Sequence, residues 1–183
     1  MVTMNIATDR SRVKHLNIEI KARCADQART RKILLDSGAA FKGTDHQVDT
    51  YFKVTTGRLK LREGLFENFL IFYERENRDG PKESNVILCE NNPGSALKEV
   101  LIKSVGVLVV VDKIREIYFI DNVKFHIDVV EGLGSFIEIE SINSNATIGK
   151  QKLLDQCGQY LVLFGINESD LVPSSYSDLL LQK

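Results

Sequence analysis

Residues 16–24 read Leu-Asn-Ile-Glu-Ile-Lys-Ala-Arg-Cys, so that apolar and polar side chains alternate strictly along them. Successive residues of a β-strand point to opposite faces of a sheet, and this pattern therefore predicts a strand with one apolar and one charged face. Asp26 follows as a candidate N-cap for a helix over residues 27–37, which ends at Gly38.

The remainder of the chain is also dominated by strand patterns. Seven further strands are predicted over residues 44–54, 58–64, 68–76, 84–90, 107–120, 124–131 and 135–142. Helices are predicted for about ten residues from Ser95, over residues 147–164 and over residues 175–181. Because tight turns join most strands, the sheet should be antiparallel, and an even number of long strands can close on itself. We expect an α+β, mainly antiparallel fold: a closed eight-stranded barrel with helices packed outside.

The composition bounds the class of protein. The chain has 183 residues, 43% hydrophobic and 27% charged, which suits one domain over residues 1–183 with a core at about 16–165. The balance of 24 Lys+Arg against 25 Asp+Glu excludes a generally basic nucleic-acid binder. No run approaches the roughly 18 apolar residues of a membrane span. Three widely spaced cysteines and a polar first fifteen residues favour a cytoplasmic protein.

The charged strand faces sort by sign. Arg58, Lys60 and Arg62 share one face, Lys113 and Arg115 share another, and the carboxylates of Glu138 and Glu140 share that of the last strand. Such faces ordinarily point to water and form modest cross-strand pairs. That bland interpretation predicts a purely structural barrel with solvated charged faces.

The segregation of charge favours a second interpretation, in which the faces point into the barrel. Cations enclosed in a cavity need a counter-anion, and a polyphosphate matches Arg and Lys well. Neighbouring carboxylates repel one another unless a divalent cation lies between them, and oxygen ligands favour Mg²⁺ or Mn²⁺ over zinc. The pattern thus indicates a metal–polyphosphate complex held in a tunnel. A P-loop enzyme is disfavoured because no Gly-rich loop followed by Lys-Ser/Thr occurs.

Several blocks of the sequence also resemble a known family. Residues 17–23 resemble the Glu-x-Glu-x-Lys signature of the CYTH superfamily of triphosphate tunnel metalloenzymes, which includes class IV adenylyl cyclases and thiamine triphosphatases. Further similar blocks follow in order at residues 58–63, 80–82, 113–115 and 126–140, so the resemblance covers about residues 16–142. It is strongest to the class IV adenylyl cyclase branch.

The resemblance implies a single CYTH-like domain and a function. It implies a metal-dependent enzyme that converts ATP to cyclic AMP and pyrophosphate, with hydrolysis of thiamine triphosphate or tripolyphosphate as the alternative. The implied metal is Mg²⁺ or Mn²⁺, held by Glu19, Asp128, Glu138 and Glu140. The implied triphosphate-binding cations are Lys21, Arg23, Lys60, Arg62, Lys82, Lys113 and Arg115. Lys21 is also a candidate general base if neighbouring cations lower its pKa.

Position 17 departs from the pattern of the family. Asn17 stands where the family has its first glutamate; an amide oxygen can bind a cation, but attracts it less and cannot act as a base. Asn17 therefore keeps a third possibility open, a module that binds a nucleotide or polyphosphate without turnover. His126 is expected to be a structural histidine with satisfied hydrogen bonds, and Arg75 a surface residue. The sequence does not decide between a monomer and a homodimer.

Overall fold

The computed structural model describes residues 12–143 and 147–183, with side chains from residue 16 onward; residues 1–11 and 144–146 of the predicted domain lie outside the described residues. Eight strands are described: β1 (Arg12–Arg23), β2 (Ala40–Phe52), β3 (Arg58–Glu63), β4 (Phe69–Arg75), β5 (Lys82–Glu90), β6 (Val107–Ile120), β7 (Val123–Val130) and β8 (Gly134–Asn143). The described helices are α1 (Gln27–Asp36), α2 (Leu97–Val105), α3 (Lys150–Phe164) and α4 (Tyr176–Leu181).

The strands pair antiparallel throughout and close in the order β1-β5-β4-β3-β2-β6-β7-β8. The predicted eight-stranded antiparallel barrel is thereby confirmed. Most strand limits lie within two residues of the prediction, but β1 begins four residues earlier, at Arg12, and so does β2, at Ala40. Residues 40–42 are exposed and the pairing register shifts between Phe41 and Gly43, so alternating burial could not mark this end of the strand.

The first helix begins and ends as its sequence predicts. The Asp26 carboxylate accepts a hydrogen bond from the Arg29 amide at 2.9 Å, which satisfies one of the free N–H groups of the first turn. Gly38 follows the helix with φ of 79°, a conformation that costs glycine little and other residues more. No helix among the described residues combines the length and the apolar character that a membrane crossing requires.

Apolar side chains form two separate clusters. The outer cluster lies between the barrel and helices α1 and α3, and includes Ile18, Ile20, Leu34, Phe125, Ile139, Leu153 and Phe164. The inner cluster includes Tyr51, Ile71, Tyr73, Val111, Phe136 and Tyr176. Because alternate residues of each strand face opposite ways, the apolar faces that meet the helices leave the charged faces directed into the barrel.

Helix α4 departs from the arrangement of the other helices. Its N-cap Ser175 accepts a hydrogen bond from the Asp178 amide, and the next residue, Tyr176, is buried against Phe136 with ring centroids 4.9 Å apart. The Arg58 guanidinium donates to the Asp178 carboxylate at 2.8 Å, which ties α4 to β3. The C-terminal segment thus covers part of the barrel interior.

Candidate active site

The charged strand faces meet in one cavity of about 250 Å³ inside the barrel, to which every strand contributes at least one side chain. Eight of the residues singled out in the sequence line it: Asn17, Glu19, Lys21, Lys60, Arg62, Arg115, Glu138 and Glu140. The bland interpretation of solvated outer faces is therefore wrong, because closing the sheet turns these faces away from bulk water. The geometry brings cations and carboxylates together as the second interpretation predicts.

Three cations converge on the carboxylate of Asp49, and we call Lys60, Arg62, Lys113 and Asp49 the cation cluster. Lys60 Nζ and Lys113 Nζ lie 2.9 and 2.8 Å from Asp49 Oδ2, and Arg62 donates from Nε and Nη2 at 2.8 and 2.9 Å. Burial alone would raise the pKa of Asp49, but Arg62, Lys113 and Lys60 hold it well below its ordinary value. The cluster therefore contains its own counter-ion.

Within this cluster, Lys113 is the cation that loses its proton most readily. Its side chain is fully buried and does not line the cavity directly. Burial, opposed by Asp49 and reinforced by Arg62 and Arg115, lowers the pKa of Lys113 to about 7. Additional negative charge in the cavity would raise this pKa again.

On β1 and β8, carboxylates lie close together, and not all of them have a cationic partner. Glu138 is paired with Lys21 at 2.9 Å and with Arg115 at 2.6 Å, while Glu19 is bound by Arg75. Glu140 has no Lys or Arg partner among the described side chains within ion-pair distance. Burial, together with Glu138 and Glu19 nearby, raises the pKa of Glu140 to about 7 despite Lys124.

His126 lies beside these carboxylates. Its Nδ1 is 3.4 Å from Glu138 Oε2 and 3.6 Å from Glu140 Oε1, and donor atoms of the three residues lie within 4.8 Å of one another. The ring is 1% exposed, and neither nitrogen has a hydrogen-bond partner among the described residues. The expectation of a satisfied structural histidine is wrong. Burial, with Arg115 and Lys124 nearby, lowers the pKa of His126 to about 3, which keeps the ring neutral.

Asn17 lies on the same wall as Glu19. It is buried and lines the cavity, and its Oδ1 has no hydrogen-bond partner among the described residues. A buried amide oxygen without a partner is unfavourable, and a cation is one group that could satisfy it.

Four of the residues implied by the resemblance do not line the cavity: Lys113, described above, and Arg23, Lys82 and Asp128. Arg23 is exposed; it donates to the Leu133 carbonyl at 2.8 Å and stacks over the Phe136 ring. Lys82 donates to the Val172 carbonyl at 2.6 Å, and burial, with Arg75 and Lys21, lowers its pKa to about 8. Neither side chain lines the cavity, so a phosphate contact by either residue stays a prediction.

Asp128 is the fourth such residue. Its carboxylate accepts from Arg115 at 2.7 and 2.5 Å and from the Tyr176 hydroxyl at 2.7 Å, and it is fully buried. Through these contacts, Asp128 orients the Arg115 guanidinium. A metal-binding role for Asp128 stays a prediction; the C-terminal segment supplies Tyr176 as a partner that the strand pattern does not reveal.

The sequence analysis missed some residues of the cavity and assigned one of them to the surface. Arg75 is not on the surface: its side chain is 3% exposed and binds Glu19. Alternation from Tyr73 could have placed it, since both share one face of β4. Asp49 shares a face of β2 with Tyr51, and this alternation could have placed Asp49 inside the barrel. Glu67 is different, because it lies in the loop between β3 and β4 and no periodicity marks it, yet it binds Arg62 at 2.9 Å.

The family model for the CYTH domain matches residues 15–162. The chain belongs to the CYTH family. A Methanocaldococcus jannaschii protein named as a candidate adenylate cyclase, MJ0240, is 27% identical over 173 residues, covering 90% of this chain and 98% of the relative. The family match therefore includes every residue that lines the cavity except Ser175 and Tyr176.

Two solved structures extend the comparison. The PH1012 protein from Pyrococcus horikoshii OT3 superposes with a TM-score of 0.71 at 26% identity, over 89% of this chain and 98% of that one. A Hippeastrum protein described as a candidate adenylyl cyclase with a dominant triphosphatase activity gives a TM-score of 0.56 at 16% identity, over 90% and 94%. At this low identity, the second likeness concerns the fold alone.

Proposed function

We propose that this protein is a divalent-metal-dependent enzyme that acts on an organic triphosphate inside the barrel, with the conversion of ATP to cyclic AMP and pyrophosphate as its reaction. The observation that carries the proposal is the presence of both charge sets in one cavity: Lys60, Arg62 and Arg115 beside Glu138 and Glu140. Catalysis at phosphorus depends mainly on positioning and on neutralising charge, which these groups would supply.

The cations would bind the phosphate oxygens. Arg62 and Arg115 are held in fixed orientations by two-point contacts, to Asp49 and to Asp128 respectively. A guanidinium fixed in this way loses little entropy when it binds a phosphate, and it presents several donors in one plane. Lys60 adds a point charge that can follow the ligand.

The carboxylates on β8 fit a divalent cation. Glu138 and Glu140 are adjacent on one face of the strand, and Glu140 lacks a cationic partner among the described side chains. A bound Mg²⁺ or Mn²⁺ would neutralise phosphate charge at this wall of the cavity. The donor set of the chain is thus compatible with the metal that the family implies.

Lys21 is the proposed general base. Burial lowers its pKa although Glu138 raises it, and Nζ lies 2.9 Å from Glu138 Oε1 and 3.7 Å from the centroid of the Tyr176 ring. In cyclisation, the ribose 3′-hydroxyl attacks the α-phosphorus and pyrophosphate leaves; Lys21 would accept the hydroxyl proton. In hydrolysis, water attacks the terminal phosphorus at the same site.

An apolar wall favours an organic triphosphate over inorganic tripolyphosphate. Beyond the charged groups, the cavity is lined by Phe69, Ile71, Val86, Leu88 and Ile142. Such a surface gains nothing from phosphate, but it would bury a nucleobase or another ring. Hydrolysis of a triphosphate remains the alternative reaction, because the cations would bind the phosphates and do not distinguish the organic group attached to them.

The proposal is tested by incubating the purified protein with ATP, thiamine triphosphate and tripolyphosphate in the presence of Mg²⁺ or Mn²⁺. Cyclic AMP from ATP is the expected product, and phosphate release without cyclic AMP would select hydrolysis. Absence of turnover with all three substrates would overturn the enzyme proposal. If ATP then raised the unfolding temperature without reacting, the protein would be a binding module instead.

A further inference from the structure

We propose that His126 is a nitrogen ligand of the divalent cation, and that the resulting His126–Glu138–Glu140 site selects Mn²⁺ over Mg²⁺. This inference rests on the proposed function, because it concerns the cation of the same cavity. It adds a ligand type that the carboxylate pattern of the sequence does not contain.

The first argument is the unsatisfied state of the imidazole. His126 is 1% exposed, and both of its ring nitrogens lack a hydrogen-bond partner among the described residues. Burying a polar group without a partner is unfavourable, so native proteins rarely leave one in this state. A metal bound to one nitrogen would remove this cost.

The second argument is the distance between the donor atoms. His126 Nδ1 lies 3.4 Å from Glu138 Oε2 and 3.6 Å from Glu140 Oε1. Ligands about 2.1 Å from a common metal are separated by about 3.0 Å at right angles and about 4.2 Å when opposite. Both distances fall between these limits. The donor atoms of all three side chains lie within 4.8 Å of one another, so a small movement would let them bind one cation.

The third argument is the position of the side chains in the barrel. His126 on β7 and Glu138 on β8 are direct partners in the register, so their side chains leave the sheet side by side. Glu140 follows two residues later on the same face of β8. Three neighbouring positions of two paired strands thus fix the ligands on a rigid wall and not on a loop.

Metal selectivity follows from the donor chemistry. Mg²⁺ strongly prefers oxygen ligands and retains its waters, whereas imidazole is a good ligand for transition metals. One nitrogen beside two carboxylates should therefore favour Mn²⁺. Asn17, which lines the same cavity, adds no charge that would offset this preference.

Electron spin resonance of bound Mn²⁺ tests the proposal directly. Spin-echo modulation detects a nitrogen bonded to Mn²⁺, and labelling the wild-type protein with ¹⁵N-histidine should change its frequency. His126→Gln should abolish the modulation and weaken Mn²⁺ binding at least about tenfold, since even indirect partners of a metal can matter that much. Binding of Mg²⁺ should change less than about threefold.

His46→Gln is the matched control. The chain has three histidines, and His46 is exposed and contacts Asp112 at 2.7 Å, away from the cavity. This variant should retain both the modulation and the Mn²⁺ affinity. If His126→Gln fails to fold, the labelled wild-type protein still decides the question, because it needs no substitution at the site.

Two results would overturn the inference: bound Mn²⁺ without histidine nitrogen modulation in the wild-type protein, or equal affinities for Mn²⁺ and Mg²⁺ that His126→Gln leaves unchanged. Either result together with turnover of a triphosphate would refute the nitrogen ligand alone. Absence of both metal binding and turnover would refute the proposed function as well.

Discussion

Two walls of the same cavity differ in how their buried charges are neutralised. In the cation cluster, Lys60, Arg62 and Lys113 all contact Asp49, so the protein supplies the counter-ion itself. At the carboxylate wall, Glu140 has no cationic partner among the described side chains, and neither ring nitrogen of His126 has a hydrogen-bond partner among them. One wall is complete without a ligand and the other is not.

The comparison shows what each wall demands of a ligand. A phosphate that enters the cation cluster must compete with Asp49, because buried ion pairs gain little net energy and are costly to break. A metal at the carboxylate wall would share Glu138 with Lys21 and Arg115, but it would satisfy Glu140 and the His126 ring, which have no such partners among the described side chains. We therefore expect the metal to bind the free protein and the triphosphate to bind more tightly once the metal is present.

The largest effect is expected at the carboxylate wall. Glu138→Gln should lower kcat/KM about 100- to 1000-fold, because Glu138 both faces the proposed metal and orients Lys21 and Arg115. Steady-state kinetics on the best substrate measures this loss. Glu99→Gln, on the exposed face of α2, is the control and should keep the wild-type rate. Rates within threefold of each other for the two variants would show that the site is misplaced.

At the cation cluster we expect a substitution to strengthen ligand binding, in contrast to the loss of activity at the carboxylate wall. Asp49→Asn should strengthen binding of tripolyphosphate about tenfold, since the competing charge is removed, while it lowers the free energy of unfolding. Isothermal titration calorimetry and thermal unfolding measure the two effects. Asp45→Asn is the matched control: Asp45 lies on the same face of β2 but binds Gln47 and the amides of residues 65 and 66. Weaker binding by Asp49→Asn would contradict the account.

The same cluster predicts a dependence on pH. The pKa of Lys113 is about 7 in the free protein, and a bound triphosphate should raise it, so binding takes up a proton near pH 8. The free form loses that proton as pH rises, so affinity should fall about fivefold between pH 7 and pH 8. Calorimetry in buffers of different ionisation enthalpy counts the proton. Lys113→Met should abolish the uptake; unchanged uptake would assign it elsewhere.

The smallest effect is expected at position 17. Asn17→Glu adds a carboxylate to the wall that Glu19 shares and should strengthen Mg²⁺ binding about threefold, because Mg²⁺ prefers charged oxygen ligands. Asn17→Gln, which changes the length without the charge, is the control. Metal titrations that do not distinguish the two variants would show that position 17 does not contact the ion.

The sequence predicted the barrel well because a strand has a strict period of two. The alternation at residues 16–24 places Glu19 and Lys21 on one face, and closure of the sheet fixes that face as the inner one. Strand ends were less clear where both faces are exposed, as at residues 40–42. Short-range patterning therefore predicted the elements and the direction of their side chains.

The state of each site residue depended on contacts distant in sequence. Asp128 is engaged by Tyr176, 48 residues later, and Lys82 by the Val172 carbonyl, 90 residues later. Glu67 enters the cavity from a loop. Such partners are set by the packing of the C-terminal segment and by loop geometry, which no local period encodes. They decide which charges remain free for a ligand.

The central claim is that one enclosed cavity holds a metal and a triphosphate against opposite charge sets. A crystal structure with Mn²⁺ and a non-hydrolysable ATP analogue, using anomalous scattering to locate the ion, tests it most directly. The account predicts Mn²⁺ bound by Glu138, Glu140 and His126, with phosphate oxygens contacting Lys60, Arg62 and Arg115. An ion on the outer surface, or phosphates outside the barrel, would contradict it.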